Sequence, residues 1–230
     1  MKYIRYVFHQ IWYFICCCVS IGITLCLTRP KVYGKKNVPK KGSLLILANH
    51  QSYLDPMLCQ WSVFPRFSWH VARSTLYTNK WFGMLLATLN TIPINRGEAD
   101  LKSMRAILNK LKEGKPVCLY PEATRTHDGR IIDIKPGVTL LSRRSGADVL
   151  PITIEGAYEA WPRHQKLPHT KKALIQIGEV ITAERIKEMG DKAFAQLLTR
   201  ELRRMQNELR VKMGRPEFDY SNSEGTGSGD

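Results

Sequence analysis

Four short motifs that mark common enzyme classes are missing from this sequence. It contains no Gly-x-Ser-x-Gly elbow, no Walker phosphate loop, no Gly-x-Gly-x-x-Gly fingerprint and no His-Glu-x-x-His metal motif. These absences argue against a serine nucleophile on such an elbow, a nucleotide-binding loop and the metal site of a zinc protease. The sequence also has no internal repeat, and its 230 residues are expected to form one catalytic domain.

Cysteine offers little chemistry in this chain. Four of the six cysteines lie inside one apolar stretch, and Cys59 and Cys118 stand alone on other apolar runs. Thiols in such surroundings behave as small hydrophobic groups. No Cys/His spacing suggests zinc and nothing suggests an oxidising compartment, so no metal or other cofactor is predicted.

Acidic residues are scarce, with 20 against 35 basic ones, for a formal net charge of +15. This excess favours anionic partners, which include nucleic acid, an anionic membrane surface and phosphorylated small molecules. The basic residues form no single arm, and six of them directly follow the most apolar stretch: Arg29, Lys31, Lys35, Lys36, Lys40 and Lys41. This position indicates an anionic bilayer rather than nucleic acid.

The apolar stretch Tyr6–Thr28 has no charged residue between Arg5 and Arg29. As a helix it would reach roughly 35 Å, enough to cross or deeply enter a bilayer. We predict a membrane anchor over residues 1–30, either spanning or inserted in one leaflet. A cleaved signal peptide is a third alternative, although no small-x-small pattern follows. The basic cluster after the stretch predicts that the main domain lies on the cytoplasmic side.

Apolar runs of strand and helix type alternate from residue 31 onwards. Strands are predicted over 44–48, 67–72, 91–95, 117–120, 149–154 and 173–177, and helices from 56 and over 98–113, 137–144 and 193–213. This alternation predicts an α/β domain over residues 31–213, with a central mixed sheet flanked by helices. The apolar segment Lys80–Leu89 is either a core helix or a second membrane contact. Residues 214–230 are expected to form a flexible tail.

The segment Asn49–Asp55 (Asn-His-Gln-Ser-Tyr-Leu-Asp) directly follows the buried strand predicted over 44–48. His50 can accept a proton near neutral pH, and Asp55 within reach can fix the imidazole tautomer and stabilise the imidazolium. The structural alternative is that Asp55 caps a helix that begins at Pro56, and both roles can coexist.

Polar residues follow three later apolar runs. Arg96 ends the run before Gly97, and Glu122 and Arg125 follow the strand predicted over 117–120. Arginine suits planar recognition of a phosphate, whereas a local Glu122–Arg125 surface ion pair would contribute little. Lys135 stands just before a predicted helix, whose first N–H groups would add positive potential. These residues predict a phosphate site beside His50.

The order of these segments resembles the four sequence blocks of the glycerolipid acyltransferases, most closely the 1-acylglycerol-3-phosphate (lysophosphatidate) acyltransferase group. The blocks are Asn49–Asp55, Ile94–Arg96, Tyr120–Arg125 and Val149–Ile152, and the similarity covers about residues 31 to 180. The first and third blocks are specific, and the other two would mean little alone. Ala123 stands where the family usually has glycine, either crowding a phosphate or reflecting a different backbone angle.

The resemblance implies an enzyme that moves a fatty acyl group from acyl-CoA or acyl-carrier protein to a lysophospholipid hydroxyl. It implies that His50 is the general base and Asp55 its orienting partner. Arg96, Glu122 and Arg125 would bind the acceptor phosphate, and Pro151 would lie near the acyl-donor pocket. Other acceptors remain open: glycerol-3-phosphate, another lysophospholipid or an aminolipid. A non-catalytic protein that binds anionic lipid or nucleic acid would explain the charge but not the ordered motifs.

Overall fold

The computed structural model of the chain describes residues 2–95, 101–134 and 136–221. Its strands are Lys31–Tyr33 (β1), Leu44–Ala48 (β2), Trp69–Arg73 (β3), Thr91–Ile94 (β4), Pro116–Leu119 (β5), Asp148–Glu155 (β6) and Leu174–Ile177 (β7). Its helices are Lys2–Thr28 (α1), Asp55–Val63 (α2), Lys80–Thr88 (α3), Leu101–Lys112 (α4), Thr139–Ser145 (α5), Ala157–Ala160 (α6), Ala183–Met189 (α7) and Asp191–Lys212 (α8).

The strands form one sheet in the order β1-β7-β6-β2-β5-β3-β4. Neighbouring strands are parallel except β6 and β7, which are antiparallel. The central mixed sheet of the α/β prediction is therefore confirmed. β2 lies in the middle of the sheet and every one of its residues is buried, because helices cover both faces of a parallel sheet.

Two hydrophobic cores pack against the two faces of the sheet. Leu45 and Leu47 of β2 point into one core and Leu44 and Ile46 into the other, as the alternation of side chains along a strand requires. Helices α4, α5, α7 and α8 supply the first core. Helices α2 and α6 supply the second core. Helix α1 packs against α2.

Helix α1 packs along the domain through a single stripe. Its buried residues recur every three or four positions: Tyr13, Cys17, Ile21, Thr24 and Thr28. This spacing places them on one face of the helix. The opposite face exposes large apolar side chains, among them Phe8, Ile15 and Val19, and Phe14 beside the buried stripe is 46% exposed. The residues Gln10–Thr28 are long and apolar enough to cross a membrane, on length and composition alone.

Helix α3 is not a core helix. Gly83 is its buried residue, whereas Trp81 is 78% exposed and Phe82, Met84 and Leu85 are also exposed. The Trp12 indole N–H of α1 donates to Thr88 Oγ1 of α3 over 2.9 Å. Helices α1 and α3, which both expose apolar side chains, are therefore in direct contact.

Residues 214–221, the first part of the segment expected to form a flexible tail, make contacts with α8. The Asn207 side chain exchanges two hydrogen bonds with the backbone of Phe218. Arg210 Nε donates to the Pro216 carbonyl over 2.7 Å, and the Tyr220 hydroxyl donates to Gln206 Oε1. Polar groups on α8 thus bind this segment, a long-range pairing that local composition does not reveal. Residues 222–230 lie outside the described part of the chain.

We predict that Arg210→Ala lowers the free energy of unfolding by about 3 kcal/mol, because it removes the nearest cation from a buried carboxylate. Arg210 Nη1 donates to Glu155 Oε1 over 2.9 Å, and Glu155 is 2% exposed. Arg204→Ala is the matched control on α8. Arg204 pairs with Glu201 and Glu208 at the surface, and its removal should cost less than about 1 kcal/mol. Urea unfolding in detergent measures both, and equal losses would contradict the prediction.

Candidate active site

The topology of the sheet brings the predicted site residues together. β2 and β5 are adjacent and parallel, with Leu44 opposite Pro116 and Leu47 opposite Leu119. The loops that follow the two strands therefore emerge at the same edge of the sheet, where α/β proteins commonly bind ligands. The loop after β2 carries His50 and the loop after β5 carries Glu122 and Arg125. A backbone hydrogen bond from Thr126 N to His50 O, of 2.9 Å, joins the two loops.

His50 and Asp55 form a direct pair. The distance from His50 Nδ1 to Asp55 Oδ2 is 2.7 Å, and the carboxylate is fully buried. The same Oδ2 accepts hydrogen bonds from the backbone N–H groups of Gln51 at 2.6 Å and Ser52 at 2.7 Å. Three donors thus converge on one oxygen, which fixes both the loop and the imidazole.

The carboxylate of Asp55 does not cap helix α2. The residue before the helix is Leu54, and no side chain caps the first turn. Pro56 does occupy the start of the helix, as the sequence predicted. The Asp55 side chain turns back towards the loop and contacts His50, Gln51 and Ser52.

The imidazole of His50 is positioned to act as a base. A carboxylate on Nδ1 selects the tautomer with its proton on that nitrogen, which leaves the lone pair of Nε2 free. The ring stacks on Tyr120 with centroids 4.1 Å apart and an angle of 18° between the planes. The His50 side chain is 15% exposed, so a reactant can approach the ring from one side. The sequence analysis missed Tyr120, although an aromatic residue directly before Pro121-Glu122 was a usable signal.

Glu122 lies behind the same loop and is 6% exposed. Its Oε1 accepts a hydrogen bond of 2.9 Å from the backbone N–H of His50. Burial raises the pKa of Glu122 to about 8, and the backbone N–H groups of His50 and Ile132 only partly offset that effect. At neutral pH the acid is therefore mostly protonated and adds little negative charge to the site.

Arg125 is held by an aromatic surface and not by an ion pair with Glu122. Its guanidinium carbon lies 3.6 Å from the centroid of the Tyr53 ring, and Tyr53 packs against Trp161 at 5.2 Å. The Nη1 of Arg125 is buried and has no hydrogen-bond partner among the described residues. A buried donor without a partner is costly, so this N–H group is available to an acceptor.

Ala123 adopts a left-handed backbone conformation with φ of 57°, and its N–H donates to the carbonyl of Tyr120. This is the conformation that glycine adopts most easily. Ala123 therefore has the backbone angle that a glycine would favour at this position.

Two predicted site residues, Arg96 and Lys135, lie outside the described residues. A third, Pro151, is described but is not part of this cluster. Pro151 is buried inside β6 opposite Leu47, and a Cβ on Gly178 would come within 2.8 Å of its ring. Pro151 therefore packs within the sheet, not at the edge that carries His50, and its contact with an acyl donor stays a prediction. Among the described residues, no group of three His, Cys, Asp or Glu side chains is arranged to hold a metal ion.

The sequence analysis also missed a buried polar cluster beside the loop. Gln51 Nε2 donates to the Gly129 carbonyl over 2.8 Å and to Glu155 Oε2 over 3.2 Å. Gln206 Nε2 contacts the same two acceptors. These residues lie far apart in the sequence, so no local signal could have identified them. They tie the residue after His50 to β6 and α8.

Comparison with known proteins places these features in a family context. Residues 29–155 match the family model described as Acyltransferase. The 1-acyl-sn-glycerol-3-phosphate acyltransferase of Bacillus subtilis is 25% identical over 78% of this chain and 89% of its own length. The enzyme of the same name from Pseudomonas aeruginosa is 31% identical over 74% of this chain and 64% of its own length.

A solved structure is similar over nearly the whole chain. It is the 1-acyl-sn-glycerophosphate acyltransferase PlsC from Thermotoga maritima, with a TM-score of 0.72 and 20% sequence identity. The alignment covers 92% of this chain and 98% of that one. The two chains therefore share a fold.

The raised pKa of Glu122 predicts a pH dependence of stability. Because the folded pKa of about 8 exceeds the ordinary 4.5, the stability present below about pH 4.5 is lost as the pH rises through about 8. Glu122→Gln cannot ionise, so its free energy of unfolding should fall less between about pH 5 and 8. Urea unfolding across this range in detergent measures the difference.

The exposed Glu184, replaced by glutamine, is the matched control and should keep the wild-type slope. Burial also raises the pKa of Glu155, so Glu122→Gln should reduce the slope without abolishing it. Parallel curves for wild type and Glu122→Gln would refute the protonated state of Glu122.

Proposed function

Because the chain belongs to the acyltransferase family, we propose that it transfers a fatty acyl group from an acyl thioester to the free hydroxyl of 1-acylglycerol-3-phosphate. The product would be phosphatidic acid, a precursor of phospholipids. The observation that carries the proposal is the His50–Asp55 pair at one edge of the sheet, with the unpartnered guanidinium N–H of Arg125 on the adjoining loop. This arrangement offers a base for a hydroxyl beside a donor for a phosphate.

The reaction begins when Nε2 of His50 removes the proton from the acceptor hydroxyl. The oxygen attacks the thioester carbonyl, a C–O bond forms and the C–S bond breaks. The imidazolium then returns its proton to the departing thiolate. Asp55 holds the ring in position and stabilises the imidazolium that forms, as the aspartate does in serine hydrolases. The substrate hydroxyl takes the place of a protein nucleophile, so no acyl-enzyme should accumulate.

Arg125 binds the phosphate of the acceptor through its unpartnered N–H group. Its stacking on Tyr53 supports this role because it reduces the freedom that the guanidinium would lose on binding. Protonation of Glu122 is part of the same proposal, since an ionised carboxylate at this edge would repel a phosphate. Arg96 and Lys135 are proposed to add further positive charge. The donor is acyl-CoA or acyl-carrier protein, with Pro151 near its acyl chain.

We further propose that the enzyme inserts into one leaflet of an anionic membrane with its catalytic domain on the cytoplasmic face. The buried stripe on α1 extends from Tyr13 to Thr28, so the helix lies against the domain for most of its length. A helix held in this way cannot cross a bilayer by itself. The exposed apolar faces of α1 and α3 instead suit insertion in the plane of the membrane, which delivers the lysophospholipid laterally.

We predict that His50→Ala lowers kcat by about 10²–10⁴-fold, the range expected for loss of a general base. The variant should remain folded and membrane-bound, because the His50 side chain contributes little to either core. Labelled acyl-CoA and acyl-carrier protein, offered with a panel of lyso-acceptors, measure the transfer. His169→Ala, at an exposed histidine, is the control and should keep wild-type activity. A His50→Ala enzyme with near-normal kcat would exclude this mechanism.

We predict that Arg125→Ala raises KM for 1-acylglycerol-3-phosphate by about 10–100-fold, as expected for loss of a charge-assisted hydrogen bond. Arg125→Lys should be intermediate, since it keeps the charge but loses the planar group over Tyr53. KM for 1-acylglycerol, which lacks the phosphate, should hardly change. Arg144→Ala, at an exposed position of α5, is the control. Equal changes with both acceptors would remove Arg125 from the phosphate site.

A further inference from the structure

A second concave site lies at the opposite edge of the sheet from His50. A cavity of about 500 Å³ is lined by residues next to the starts of β2, β3 and β5, among them Gly42, Trp69 and Pro116. His50 follows the other end of β2. His50 lies eight positions after Gly42, a span of at most roughly 25 Å in an extended chain. The cavity is therefore separate from the acyl-transfer site.

Positive charge from three distant segments converges on this cavity. Its lining includes Lys40 and Lys41 from the turn before β2, Arg66 from the turn before β3, and Lys110 and Lys115 near the end of α4. One carboxylate, Glu113, also lines it and pairs with Lys110 at 2.8 Å. Lys40, Lys41 and Lys115 have no ion-pair partner in the described part of the chain. The local field therefore favours an anion.

Arg66 organises the turn that carries two of these lysines. Its Nη1 donates to the Pro39 carbonyl over 2.9 Å and its Nη2 to the Gly42 carbonyl over 2.5 Å. Burial lowers the pKa of Arg66, yet arginine remains charged at neutral pH. The two bonds bracket Lys40 and Lys41, so the turn is held against the cavity and does not project freely into solvent.

The cavity adjoins the helix that we place in the membrane. Gln10 of α1 and Phe67 line it. Phe67 makes edge contacts with Tyr13 and Phe14 of α1, at centroid distances of 5.3 and 6.4 Å. Phe14 lies between the buried stripe and the exposed apolar face of α1 and is itself 46% exposed. A ligand in the cavity would thus have cations around its head and an apolar surface beside it.

We propose that this cavity binds the phosphate of an anionic phospholipid headgroup in the membrane beside α1, at a site distinct from the acceptor site. A phospholipid matches both features, since its phosphate meets Lys40, Lys41 and Lys115 while its acyl chains follow the apolar face of α1. Each lysine near an anionic bilayer contributes appreciably to membrane binding. The inference rests on the proposed insertion of α1 into the membrane but not on the proposed reaction.

Charge reversal at the cavity tests the proposal. Lys41→Glu/Lys115→Glu changes two exposed side chains that contribute nothing to the core, so the fold should be retained. Lys187→Glu/Lys192→Glu makes the same change of charge at exposed positions of α7 and α8. Flotation of the full chain with phosphatidylcholine vesicles, with and without about 20 mol% phosphatidylglycerol, measures the preference for anionic lipid. The cavity variant should lose about tenfold in that preference and the control should keep it.

Several outcomes would overturn the proposal. Equal losses in the two variants would indicate diffuse attraction by net charge, and no loss in the cavity variant would exclude the site. If the cavity binds only free phosphate, inorganic phosphate at matched ionic strength should raise the Tm of wild type but not of the cavity variant, with vesicle binding unchanged. A chain that fails to bind neutral vesicles would reject the insertion of α1. Acyl transfer to a short-chain acceptor in detergent tests the reaction separately.

Discussion

One buried carboxylate organises the active site. Asp55 Oδ2 accepts from the backbone N–H groups of Gln51 and Ser52 and pairs with the imidazole of His50. Because the group is fully buried, these donors compensate for the hydration that Oδ2 loses, whereas Oδ1 has no hydrogen-bond partner among the described residues. The loop after β2 can therefore hold only a narrow range of conformations while Oδ2 keeps its three donors. The tautomer of His50, and with it the free lone pair on Nε2, follows from that constraint.

Neither carboxylate near His50 forms an ion pair with the guanidinium of Arg125. Glu122 contacts the backbone of His50 but is mostly neutral near pH 7 because of its burial. Arg125 rests on the Tyr53 ring and forms no ion pair with Asp55 or Glu122. A phosphate bound by Arg125, as we propose, would therefore meet a cation that is not already part of an ion pair. This separation supports the proposed transfer to a phosphate-bearing lipid.

The features that the sequence analysis did not decide share one cause. Asp55 was given a possible cap role from its neighbour Pro56, but its carboxylate binds the loop instead. Residues 214–221 were assigned to a tail, and the structure adds hydrogen bonds that join Phe218 and Tyr220 of this segment to Asn207 and Gln206 of α8. Lys80–Leu89 had two readings, and only the exposure of Trp81 and its neighbours excluded the core helix. Each outcome depends on partners that local composition does not identify.

The sequence by itself determined the α/β class, the apolar helix and the pairing of a base with an acid, because hydrophobic periodicity and the spacing from His50 to Asp55 are local properties. Tertiary structure decided which groups those residues contact. The parallel pairing of β2 with β5 brought Glu122 and Arg125 to His50, packing laid α1 along the domain, and three separate turns gathered their lysines and Arg66 around one cavity. Burial and the distances between charges arise only when distant segments pack, so the ionisation of Glu122 and the unpartnered donor of Arg125 could not be read from the chain.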